Sequence, residues 1–183
     1  DPYHHLYYDS QSLDVHASQN VVVTHNQYIL RADTFYYSPR MRLLAVSGNI
    51  VLTDGASSLY ASALDYSFNL QTGTASDVYT VLNNTHIRAK EMHVSSSTVT
   101  FNAIAFTRCN LAHPHHHIRS QSLHVYVNRD SIQTTNSFIY VYGVPIFYIP
   151  IYVWRYNQNK KQNKNQEMQV KMVVLFRLLM KKD

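Results

Sequence analysis

From Asn20 to Tyr142 the chain is a series of short runs rich in β-branched and aromatic residues. Asn20-Val21-Val22-Val23-Thr24, Asn49-Ile50-Val51-Leu52-Thr53 and Ser137-Phe138-Ile139-Tyr140-Val141-Tyr142 are examples. Such residues fit a pleated, half-buried strand. Turn-forming residues separate the runs at Ser38-Pro39, Thr53-Asp54-Gly55, Thr72-Gly73, Asn83-Asn84 and Asn128-Arg129-Asp130. Punctuation every ~8–15 residues predicts an all-β sandwich or solenoid. No apolar spacing of helical period persists before Asn165.

Four segments share one pattern: apolar, x, small, x, x, apolar, x, apolar. They are Leu30/Ala32/Phe35/Tyr37, Leu59/Ala61/Leu64/Tyr66, Ile87/Ala89/Met92/Val94 and Ile118/Ser120/Leu123/Val125. The small residues stand at 32, 61, 89 and 120, in steps of 29, 28 and 31. A period of that size means stacked supersecondary units, each with room for two strands. Side chains of a strand alternate faces with period two. The three-residue gap inside the pattern would therefore turn its second pair to the opposite face. A bulge or bend at the x-x step returns both pairs to one side. Repeated along the chain, it folds the sheet over an apolar interior. The predicted architecture is an open, twisted, two-sheet β-jelly-roll of roughly ten to twelve strands. A closed β-solenoid is the alternative.

Composition narrows the function. Hydrophobic residues make up 45% of the 183 and charged residues 15%, which suits a packed domain and not a disordered chain. Four glycines leave no Gly-rich phosphate loop. The net charge of +5 is misleading as a nucleic-acid signal. Residues 155–183 carry eight Lys/Arg against two Asp/Glu (+6), and residues 1–154 carry eight against nine (−1). A nucleic-acid binder holds its charge on the folded face, so no nucleic-acid partner is expected. The predicted organisation is a β-domain over 1–154 and a basic low-complexity linker and tail over 155–183, flexible or a short helix. No apolar run reaches the length of a transmembrane helix. The amino-terminal Asp1-Pro2-Tyr3-His4-His5 lacks a signal pattern and reads as a mature or excised start.

Catalytic chemistry finds little support. No GxSxG elbow appears, and Asp54, Asp65, Asp77 and Asp130 are scattered singly on turns. No enzyme activity and no cofactor are expected. His113-Pro114-His115-His116-His117 suggests a metal site. Neighbouring strand residues face opposite ways, however, so only His115 and His117 could share a side. A solvated loop is the expectation, and no metal is assigned. Cys109 is the single cysteine, either a buried thiol or half of a bridge to another chain.

The stretch from Tyr28 to Tyr79 contains Arg31-Ala32-Asp33, Ala45-Val46-Ser47-Gly48, Leu52-Thr53-Asp54-Gly55 and Ala61-Ser62-Ala63-Leu64-Asp65-Tyr66. In this rhythm it resembles the OstA-like repeat of the lipopolysaccharide transport proteins. Further on, Thr107-Arg108-Cys109 precedes a Pro114 loop, a strand pair follows, and then Gly143-Val144-Pro145-Ile146-Phe147-Tyr148-Ile149-Pro150. That order is similar to the end of the periplasmic domain in the outer-membrane lipopolysaccharide-assembly (LptD) family. The resemblance spans Asn20 to Trp154. It stops at the Asn- and Lys-rich segment from Asn157 to Gln166, after which no alternating barrel strands follow.

The resemblance implies a lipopolysaccharide-binding transport module at the periplasmic face of the outer membrane. Acyl chains would lie against Leu30, Phe35, Leu59, Leu64, Tyr66, Ile87, Met92, Val94, Ile118, Leu123 and Val125. Val144, Pro145, Phe147, Tyr148 and Pro150 would form the exit toward the barrel. An LptA-like jelly-roll protein would pair with the amino-terminal edge, and the barrel portion with its lipoprotein partner would lie beyond the exit. Cys109 would pair with a barrel cysteine. The rival expectation is a β-solenoid structural or adhesin fragment with a closed core and no lipid.

Overall fold

The computed structural model describes residues 5–155 apart from 12, 26, 54, 56, 83 and 112. The tail expected over 155–183 lies, from residue 156 on, outside the described residues. Eleven antiparallel strands form one sheet in sequence order. They are β1 (His5–Tyr8), β2 (Val15–His25), β3 (Tyr28–Ser38), β4 (Leu43–Thr53), β5 (Ser58–Ser67), β6 (Thr72–Leu82), β7 (Thr85–Val94), β8 (Thr98–Thr107), β9 (His116–Tyr126), β10 (Ser131–Val141) and β11 (Val144–Arg155). A single 3-10 turn at Val127–Arg129 joins β9 to β10. Each strand pairs with its neighbours in sequence, so the connections are hairpins. The all-β class and the two-strand repeat are both present.

The expected bend is also present. On β5 and β7 both apolar pairs of the pattern are buried and the residues between are not. The bend's backbone, however, sits on the strands between the repeats. Gln19, Asn20, Gly48, Asn49, Asp77, Ala103 and Asn136 all have φ between 46° and 76°. They lie on β2, β4, β6, β8 and β10, at the level of Asp33, Ser62, Lys90 and Gln121 on the odd strands. Left-handed φ suits Gly and Asn, and short polar side chains tolerate it best. Ladder shifts mark bulges on β2 between Ser18 and Val21 and on β4 between Ser47 and Ile50. Sequence reading had put the distortion in the repeat strands themselves. The strain instead falls on their partners, where Asn, Asp and Gly can carry it.

Outside the crease, polar side chains bridge the strands. Asn49 Nδ2 donates to Asp33 Oδ2 at 2.8 Å, and Ser62 Oγ donates to Asp77 Oδ2 at 2.9 Å. Gln121 and Asn136 continue the line by a side-chain hydrogen bond. Inside the crease lies one hydrophobic cluster drawn from β3 through β10. No helix or second sheet covers it among the described residues. The cluster lies on one face of this single sheet. Phe101, Ile50, Leu52, Leu59 and Met92 are each 1% exposed. Burying a side chain of that size is worth ~1.5–3 kcal/mol.

One expected turn falls elsewhere. Thr72-Gly73 opens β6 and is not a turn. A Cβ on Gly73 would stand 2.6 Å from Tyr66 Cδ2 and 2.9 Å from the Asp65 carbonyl oxygen. The glycine makes room for a cross-strand aromatic ring.

Candidate functional site: the creased inner face and its two ends

Cross-strand register arranges the inner face in four rows. The first runs Val23, Leu30, Leu52, Leu59, Thr80, Ile87, Phe106, Ile118, Ile139 and Phe147. The second passes Val21, Ala32, Ile50, Ala61, Val78, Ala89, Ile104, Ser120, Ser137 and Ile149. The third and fourth lie beyond the crease. They carry Phe35, Leu64, Met92, Leu123 and Tyr152, then Tyr37, Tyr66, Val94, Val125 and Trp154. The four positions of the repeat are therefore four lines running across the sheet. Ala32, Ala61, Ala89 and Ser120 stand at equivalent places on every second strand, as their spacing predicts.

All eleven residues expected to touch lipid lie on these rows. Leu59, Leu64, Tyr66, Ile87, Met92, Val94, Leu123 and Val125 are buried. Leu30 and Phe35 are half-buried, and Ile118 is 38% exposed. The small residues leave no open groove at the crease in the middle of the sheet. Ile50, Val78 and Ile104 alternate with them along the row and are 1%, 3% and 2% exposed. Small and β-branched residues interdigitate, and dense packing follows. The polar members are satisfied: Ser120 and Ser137 hydroxyls lie 2.8 Å apart, and Thr80 Oγ1 donates to Ser58 O at 2.8 Å.

The apolar repeat names only the β3, β5, β7 and β9 members of these rows. Val99/Phe101/Ile104/Phe106 on β8 and Ile132/Thr134/Ser137/Ile139 on β10 follow the same two-three-two spacing as the repeat. So do Gly73/Ala75/Val78/Thr80 on β6 and Phe147/Ile149/Tyr152/Trp154 on β11. The signal is legible. Small and hydroxyl residues at several positions hide it from a search for apolar side chains.

The rows keep their character at the ends of the sheet but lose their cover. On β11, Phe147, Tyr152 and Trp154 are 60%, 56% and 38% exposed. On β1, Leu6 and Tyr8 pair with Ala17 and Val15 and are 74% and 55% exposed. Every residue of the expected exit, Val144, Pro145, Phe147, Tyr148 and Pro150, lies on β11. Among the described residues β11 pairs only with β10 and is an edge strand, as two prolines favour. Tyr142 (φ 49°) and Gly143 (φ 80°) make the two-residue loop before it, with both central residues left-handed.

Cys109 sits half-buried with a free thiol in the β8–β9 loop. Its N–H donates to Thr107 Oγ1 at 3.0 Å, and Thr107 Oγ1 donates to His116 O at 2.7 Å. His115 and His117 rest on Tyr142 and Tyr140, with ring centroids 5.1 and 4.7 Å apart. Among the described residues no three His, Cys, Asp or Glu side chains converge as metal ligands. No helix of the described residues is long and apolar enough to cross a membrane. No protein-family model matches the chain, and no curated protein matches it at significant similarity.

Proposed function

We propose that the chain is a lipopolysaccharide-binding transport module. It accepts the lipid from an LptA-like periplasmic bridge and passes it toward an outer-membrane assembly barrel and that barrel's lipoprotein partner. The two halves of the sheet on either side of the crease act as the two layers of an OstA-like jelly-roll. One observation carries this reading: all four inner rows reach β11 and two of them reach β1, with Phe147, Tyr152, Leu6 and Tyr8 still apolar and uncovered. An isolated domain has no use for large side chains there, since exposed apolar patches mark interaction sites. A conduit assembled end to end needs them to carry its interior from one module into the next. Edge strands supply the joint, because their free N–H and C=O groups accept another strand. Acyl chains gain ~0.8 kcal/mol per buried CH₂ along such a track. Entry requires the halves to part, since the central rows are filled.

That filled centre favours a second reading, a closed structural or adhesin module that holds no lipid. Photo-crosslinkers at Met92 and Leu123, compared with outward His93 and His124, separate the two in a lipopolysaccharide-making cell. The conduit captures lipopolysaccharide at the inward pair alone. Equal capture at both pairs, or none inside a folded protein, makes these residues ordinary core.

A further inference from the structure

The outer face carries a hollow that shares only Phe106 with the inner rows. It holds about 240 Å³ between β6, β7, β8, β9 and the β8–β9 loop. Ala105 is its floor. Arg88 and Arg119 are the cross-strand partners of Ala105 on either side, so two guanidiniums flank one small residue. Each guanidinium lies over a ring: Arg88 Cζ is 5.2 Å from the Tyr79 centroid, and Arg119 Cζ is 5.3 Å from that of Tyr140. Stacking of this kind orders a guanidinium and leaves its N–H edge free. Neither arginine has a carboxylate partner among the described residues, and no Asp or Glu lines the hollow. Two further features belong to the wall. Tyr79 Oη and His86 Nδ1 share a hydrogen bond of 2.9 Å. Both ring nitrogens of His117 are shielded from solvent beside the Pro114 backbone.

We propose that this hollow binds a phosphate group. The two guanidiniums stand on either side of the hollow, on strands two spacings or ~10 Å apart, and an anion seated between them offers oxygens to either fork. A phosphate, with more acceptor oxygens and a charge near about −2, matches a site of two cations better than a carboxylate does. The group comes either from a free phosphate compound or from a phosphomonoester headgroup, and the chemistry recognised is the same. This proposal does not depend on the lipid-conduit reading, because the hollow opens on the opposite face of the sheet.

The test uses the full chain at constant ionic strength, with chloride as the reference anion. Inorganic phosphate and phenyl phosphate are titrated while the histidine ring signals are followed by NMR. In parallel, phosphatidylcholine vesicles with and without phosphatidic acid are tested for binding by sedimentation. Arg88→Gln and Arg119→Gln should each weaken binding about tenfold, as loss of one charged hydrogen bond does. Ala105→Leu keeps both charges but fills the floor, and should abolish binding. Arg129→Gln, whose guanidinium lies over Tyr126 outside the hollow, should leave it unchanged. Saturable, Ala105→Leu-sensitive binding of the soluble phosphates supports the site with a free ligand. The same sensitivity seen only with phosphatidic-acid vesicles supports it with a headgroup. Binding indifferent to Ala105→Leu, or no saturable binding by either class up to about 20 mM, overturns the proposal. Dispersed NMR spectra of each variant establish that it folds.

Discussion

Single residues decide how tightly the two halves of the sheet close. Gly73 shows this at the inner face, where the Tyr66 ring occupies the place of a side chain. Gly73→Ala should cost about 1–3 kcal/mol, because the Asp65 carbonyl that a Cβ would meet is backbone and cannot swing away. Urea unfolding of the two proteins measures it. His117 shows it on the outer face. Burial first, then the Arg119 guanidinium and His116, hold its pKa below the ordinary 6.5. The Tyr140 ring stacks on it from β10, with planes 4° apart. As pH falls below 6.5 the unfolded chain takes up this proton before the folded one does. The contribution is therefore complete above that pH and is lost as pH falls through the folded pKa. His117→Phe keeps the ring stack and removes the titration. Its unfolding midpoint should fall less between pH 7.5 and pH 5 than that of the parent chain.

At the scale of elements, the strands obey two different rules. The odd strands of the repeat carry small residues at the crease, and the even strands carry the left-handed backbone. Ala103, at φ 49°, is the member of the bend line with no glycine freedom and no side-chain hydrogen-bonding group. β11 is the element whose composition conflicts most with its position. Among the described residues this twelve-residue edge strand is covered on neither face, yet it carries Phe147, Tyr148, Tyr152 and Trp154. Edges of this kind pair with other chains unless charge or proline blunts them. The parent chain should associate reversibly as its concentration rises in sedimentation velocity runs. Phe147→Lys with Tyr152→Lys should shift it to monomer while the unfolding free energy stays within about 1 kcal/mol, because both sites are already exposed. An unchanged association state would place the contact elsewhere.

Over the whole molecule, burial forms a gradient. Residues of β4, β5, β7 and β8 reach 1% exposure, whereas β1 and β11 are uncovered. A meander in which each strand touches only its neighbours unzips from its ends at low cost. Amide hydrogen exchange should be slowest in β4 through β8 and fastest in β1 and β11. Adding a partner that continues the sheet should slow exchange at one end before the centre. A uniform exchange profile would mean that the eleven strands open together.

How much was legible follows from the range of each interaction. Alternation and turns are local, so strand runs such as Val21-Val22-Val23 and the edge character of Pro145 and Pro150 could be read directly. The two-three-two spacing required a bend, and the steps of 29, 28 and 31 required a ladder of Ala32, Ala61, Ala89 and Ser120. Neither could say which strands would carry the bend. That depends on where Asn49, Asp77 and Asn136 fall opposite their partners, and register is a property of the paired sheet. By sequence alone Leu59 and Met92 could have lined an open trough or a filled core. Only the assembled sheet fills the rows at the centre and leaves Leu6 and Phe147 bare at the ends. Arg88, Ala105 and Arg119 are 17 and 14 residues apart in the chain and share no motif. They become neighbours because three strands meet in one register, and no local pattern encodes that meeting.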